Sequence, residues 1–147
     1  MKTITSSLSV LLFATTAALG CGSDSNGPPE DITGSYAAAQ FFTTSATDQG
    51  RDELAAGSTV SLTLSGSGTT TGHLHVAAST GSPAFDADLT GTWARTGNTV
   101  HFTQSADTFI RNMTFTVSGV APTGTRLTGD QVFSGTRVQL TLAKVAG

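Results

Sequence analysis

The residues best suited to chemistry are the three histidines, His73, His75 and His101. His73 and His75 are two positions apart, so on a β-strand their rings leave from the same face. If Ser79 to Ser82 forms a four-residue loop, the returning strand brings Asp86 opposite His75 and Asp88 opposite His73. Two imidazoles and two carboxylates on one surface are a weak candidate for a divalent metal, since imidazole suits zinc, copper and nickel. A solvated polar face explains the same four residues without any ion, and no metal or other cofactor is expected. No Cys-x-x-Cys pattern, zinc-protease helix motif or calcium loop accompanies them.

Other reactive constellations are scarce. Serines are abundant, yet no Gly-x-Ser-x-Gly elbow joins a strand to a helix, and Gly66-Ser67-Gly68 sits where a hairpin turn needs small residues. No Gly-rich segment leads into a helix as a phosphate loop does. The chain therefore reads as a non-enzyme with no catalytic residues. Its formal net charge is −3, one unit more negative once Lys2 is removed, which leaves no electrostatic footprint for nucleic acid.

Lys2, the apolar run from about Ser9 to Leu19, and small residues after it have the layout of a secretory signal peptide covering residues 1–20. The run is too short to span a bilayer. Cys21, the only cysteine, follows Ala18-Leu19-Gly20 directly. That placement resembles the lipobox of bacterial lipoproteins, which implies acylation of Cys21 and attachment to a membrane through the N-terminal lipid. Gly22 in place of Asp resembles the Gram-negative pattern for outer-membrane sorting. Ala18-Leu19-Gly20 also fits ordinary signal cleavage, which would give a secreted or periplasmic protein. Residues 21–31, rich in Ser, Gly, Pro and Asp, read as a flexible tether.

Residues 32–147 form one domain, dense in Thr and Gly, with apolar residues at every second position. Eight strands follow: Ile32-Gly34-Tyr36-Ala38, Val60-Leu62-Leu64, Gly72-Leu74-Val76, Phe85-Ala87-Leu89-Gly91-Trp93, Val100-Phe102, Met113-Phe115-Val117, Leu127-Gly129-Gln131-Phe133 and Val138-Leu140-Leu142. A Ser67-Gly68-Thr69 turn predicts Leu62 opposite Leu74. A Thr96-Gly97 turn predicts Trp93 opposite Val100. A Ser134-Gly135 turn predicts Leu127 opposite Leu142 and Gln131 opposite Val138. Short strands in sequence order, with agreeing turns and faces, predict an all-β fold: an eight-stranded antiparallel up-and-down barrel. An immunoglobulin-like β-sandwich is the alternative.

This layout resembles the small lipocalin-like or calycin-like domains of bacterial envelope lipoproteins. Gly91-Thr92-Trp93 is similar to the lipocalin Gly-x-Trp signature, here on the fourth strand rather than the first. The resemblance implies a barrel with an open mouth and an interior able to take a small apolar or amphiphilic molecule. Tyr36, Trp93, Phe102 and Phe115 would line it. Arg111, which shares the alternation of Met113, Phe115 and Val117, would meet an acidic head group. The stretch from Thr43 to Gly57 is a candidate lid, and either Phe41 or Phe42 should point inward beneath it. Two functions stand side by side: a lipid-anchored barrel that binds or carries a small amphiphile, and a structural or protein-interaction lipoprotein that meets another envelope protein. An interior filled by Tyr36, Phe85, Trp93, Phe102, Phe115 and Phe133 would favour the second.

Overall fold

The computed structural model describes residues 31–46, 50–119 and 124–146. Ten strands are present: β1 (Gly34–Thr44), β2 (Arg51–Asp52), β3 (Thr59–Leu64), β4 (Thr69–Val76), β5 (Phe85–Asp88), β6 (Gly91–Thr96), β7 (Thr99–Gln104), β8 (Thr114–Ser118), β9 (Arg126–Phe133) and β10 (Thr136–Lys144). The β5 and β6 segments are one wall strand interrupted at Leu89 and Thr90, and β2 is a short addition folded back on β1. Eight wall strands thus run in sequence order, every pairing antiparallel. Because β1 pairs with β3 on one side and β10 on the other, the sheet closes on itself. That closure removes the sheet edges a sandwich would keep.

Alternation decides what lies inside. Along β3, β7 and β8 exposed Thr, Ser and His residues alternate with buried Val60, Leu62, Leu64, Val100, Phe102, Phe115 and Val117. From the other strands come Tyr36, Phe41, Leu74, Leu89, Leu127, Val138, Leu140 and Leu142. Phe102 and Phe115 meet in a tilted pair with ring centroids 4.9 Å apart. Gly129 makes room for them, since a Cβ there would stand 3.0 Å from the Phe115 ring.

The Ser134-Gly135 turn has the expected register, with Leu127 opposite Leu142 and Gln131 opposite Val138. Both turn residues carry positive φ, 49° and 81°, as a tight type I′ hairpin requires. The other two hairpins differ from expectation by two residues. Leu62 faces Gly72 and Val60 faces Leu74, because Ser65 still bonds to Thr69 and the loop is Gly66-Ser67-Gly68. Trp93 faces Phe102, because Thr96 pairs with Thr99 and the turn moves on to Gly97-Asn98. A slip of two leaves every side chain on its own face, so the core is unchanged.

One irregularity does change faces. Between Ala38 and Gln40 the β1–β10 register shifts, and the extra residue of this bulge turns Phe41 inward and Phe42 outward. The described parts of the Thr43 to Gly57 stretch are strand-paired: Thr43 and Thr44 continue β1, and Arg51–Asp52 pair back on it. The barrel end holding Ile32, Gly34 and the hairpin turns at Gly66 to Gly68 and Gly97-Asn98 is the amino-terminal end. The opposite end carries residues 43–46 and 50–57, Ala77 to Ala84, Ser105 to Met113 and Ser134-Gly135.

Candidate functional site

Tyr36, Phe102 and Phe115 are brought together inside the barrel, each at most 1 % exposed. Tyr36 is fixed as packing, its hydroxyl donating to the Ile32 carbonyl at 2.6 Å. Trp93 packs half-buried on the core near the amino-terminal end, and its Nε1 donates to the Ser65 carbonyl at 3.0 Å. Phe133 is half-buried, and Phe85 stands 47 % exposed at the opposite rim.

Arg111 does not join them. The β8 strand begins only at Thr114, and the residues before it are turns closed by Arg111 N–H to Thr108 and Met113 N–H to Ile110. Strand alternation has no meaning there, so the guanidinium lies half exposed outside and pairs with Asp107 at 3.0 Å. The interior position is taken by Ile110, fully buried, while Phe109 tilts against Phe41 with centroids 5.2 Å apart. Gln131 ties this segment down by donating to the Phe109 carbonyl. The plug of this end is thus Ser105 to Met113, which the sequence pattern did not single out.

At the same end a cleft of about 890 Å³ is lined by Thr43, Ser45, Arg51, Glu53, Ala78, Ser79, Thr80, Ser82 and Thr136. Glu53 is its structural centre at 3 % exposure. Its carboxylate accepts from the Thr43 hydroxyl at 2.7 Å and the Ser58 hydroxyl at 3.0 Å, and Arg51 Nε stands 3.7 Å away. A buried carboxylate is tolerable only with such partners. Arg51 also donates to the Ala78 carbonyl at 3.0 Å, pinning the β4–β5 connection against β2. Hydroxyls and ions dominate this surface, so it suits a polar partner. Sequence reasoning missed Glu53 because its burial depends on β2 folding back on β1, a pairing two residues long.

On the outer wall the expected cross-strand register holds, with His73 opposite Asp88 and His75 opposite Asp86. His75 Nδ1 lies 2.8 Å and His73 Nε2 3.2 Å from the same oxygen, Asp86 Oδ1. The second ring nitrogen of His73 lies 3.3 Å from Asp88 Oδ1. Hydrogen bonds first to Asp88 and then to Asp86 raise the His73 pKa, and the same contacts, His75 foremost, lower that of Asp86. Among the described residues no group of three or more His, Cys, Asp or Glu side chains is placed, as it stands, to hold a metal ion. These four form an ion-paired polar face.

Cys21 and residues 1–30 as a whole lie outside the described residues. Compared with family models, curated proteins and solved structures, the chain matches none.

Proposed function

We propose that this chain is a lipid-anchored envelope barrel that works through its surface, as a structural or protein-interaction module, rather than by carrying an amphiphile inside. The observation that supports this is the interior: aromatic and aliphatic side chains from all eight wall strands meet there, and Ile110 plugs the end that would have been the mouth. The cleft at that end is polar, which fits a protein surface or another polar partner better than an acyl chain.

Cys21 and its flanking residues supply the anchor in this reading. Asp31, the first described residue, is held at the amino-terminal end, where its carbonyl accepts from Lys144. The Arg51–Glu53 cleft lies at the opposite end of the barrel from Asp31, which supports a reading in which it is turned away from the anchor. Gly22 directs the protein to the outer membrane.

Mass spectrometry of the mature N-terminus should find Cys21 acylated, and an unmodified cysteine or a soluble protein would remove the anchor. Titration with a fluorescent fatty acid should give no saturable binding. Photo-crosslinkers placed at Thr80 and, as control, at Gly97 should capture an envelope protein in cells from the first site alone. Stoichiometric fatty-acid binding with adducts from neither position would return the amphiphile carrier as the better reading.

A further inference from the structure

We infer that the outer face of β4 and β5 is a binding site for a divalent transition-metal ion such as zinc, with His73, His75 and Asp86 as ligands and Asp88 as the residue that orients His73. The inference goes beyond the interaction reading above and rests on a different part of the molecule.

The first argument is convergence. Residues two apart on a strand stand about 6.6 Å apart along it, a distance two imidazole side chains can bridge to one ion. Here the bridging is already made: His73 Nε2 and His75 Nδ1 both aim at one point, now occupied by Asp86 Oδ1 at 3.2 and 2.8 Å. Zinc–nitrogen bonds are about 2.0–2.1 Å, so each ring must close by about 1 Å while the carboxylate swings back to become the third ligand. That movement is cheap, because the two histidine side chains are 49 % and 36 % exposed and that of Asp86 58 %. As they stand the three side chains are hydrogen-bonded to one another and are not arranged around an ion, so uptake requires this rearrangement.

The second argument is the environment of His73. A metal-bound imidazole characteristically gives its other N–H to a carboxylate, which fixes the tautomer and strengthens the ligand. Asp88 Oδ1 stands 3.3 Å from His73 Nδ1 and can take that role, leaving Nε2 for the ion. At present both ring nitrogens face carboxylates, an arrangement that suits the imidazolium, so binding displaces a proton from Nε2. The backbone positions of all four residues are set by the barrel wall through the β4–β5 ladder. Two nitrogens and one carboxylate oxygen leave at least one coordination position open to water or to a donor from another molecule.

Zinc chloride titrated into the full chain at about pH 8, above the ordinary imidazole range, should give saturable one-to-one binding by calorimetry. H73Q, H75Q and D86N should each weaken it by more than about tenfold, and D88N by about tenfold, the loss typical of an orienting carboxylate. H101Q, on a separate strand where His101 Nδ1 faces the Thr114 hydroxyl, should change nothing. Urea unfolding of each variant establishes that the barrel is intact. The inference is overturned if the wild type shows no saturable uptake up to about 1 mM zinc, where binding would be worth only about 4 kcal/mol. It is equally overturned if H73Q and H75Q bind like the wild type, or if H101Q abolishes binding.

Discussion

Replacing Phe115 by Ala tests the filled interior most directly. The ring is fully buried, packs against Phe102 at a centroid distance of 4.9 Å, and sits over the space left by Gly129. Both neighbours belong to wall strands held by ladders on two sides, so the cavity cannot collapse easily. Truncating a Phe in such surroundings costs about 3–5 kcal/mol. With a urea slope of about 2 kcal/mol per molar, the midpoint should fall by roughly 2 M. Trp93, the only tryptophan, supplies a fluorescence signal, and far-ultraviolet circular dichroism reports the sheet independently. Phe42→Ala is the control: the same atoms are removed from a side chain 38 % exposed on the outer face, and the loss should stay under about 1 kcal/mol. If Phe115→Ala cost no more than Phe42→Ala, the interior would be loosely filled, and the case against an interior ligand would fall with it.

Glu53→Ala strips the Thr43 and Ser58 hydroxyls of their buried acceptor and should destabilise by about 2 kcal/mol in the same urea assay. Gly91→Ala places a Cβ 2.1 Å from the Thr103 carbonyl oxygen, so β6 and β7 must part; about 2–3 kcal/mol should be lost, and a neutral result would refute that close approach. Arg111→Met should shift stability by less than about 0.5 kcal/mol, since the ion pair to Asp107 is a surface one. His73→Gln should be felt only in a pH window. The raised His73 pKa adds stability that is full below its ordinary value of 6.5 and lost as pH rises through the folded value. The lowered Asp86 pKa adds stability that is present above 3.8 and lost as pH falls through its folded value. Thermal midpoints of wild type and His73→Gln should therefore differ most at about pH 5 and converge in alkali. A gap that widened above pH 8 would contradict this sign.

The barrel was legible because its signal has a period of two and is repeated eight times. Of the inward positions that alternation predicts, Leu62, Leu74, Leu89, Val100, Phe102, Phe115 and Leu140 are buried, and Trp93 packs on the core half-buried. Thr141 is the exception on the other face: it is outward yet only 7 % exposed, and its hydroxyl donates to Gln40 Oε1 at 3.2 Å. Substitution there will therefore cost more than at exposed Thr63. What alternation cannot register is a residue that belongs to no ladder. Arg111 was placed inward by extending β8 backwards through turns, and Glu53 was passed over as one charge in a loop.

These successes and failures share a rule of parity. Turn positions in two hairpins were displaced by two residues, and nothing in the core moved, because an even shift returns each side chain to its face. The bulge between Ala38 and Gln40 is an odd shift, and it alone exchanges Phe41 for Phe42 on the inner face of β1. Phe41 then meets Phe109, which helps hold the Ser105 to Met113 plug in place. That contact contributes to closing the end that a carrier would keep open. Replacing Phe41 by Ala removes the ring against which Phe109 packs and should loosen the plug. Hydrogen exchange should then quicken at Phe109 to Arg111 while the β3–β4 and β9–β10 ladders stay protected. Unchanged exchange in the plug would mean that Phe41 is not what holds it.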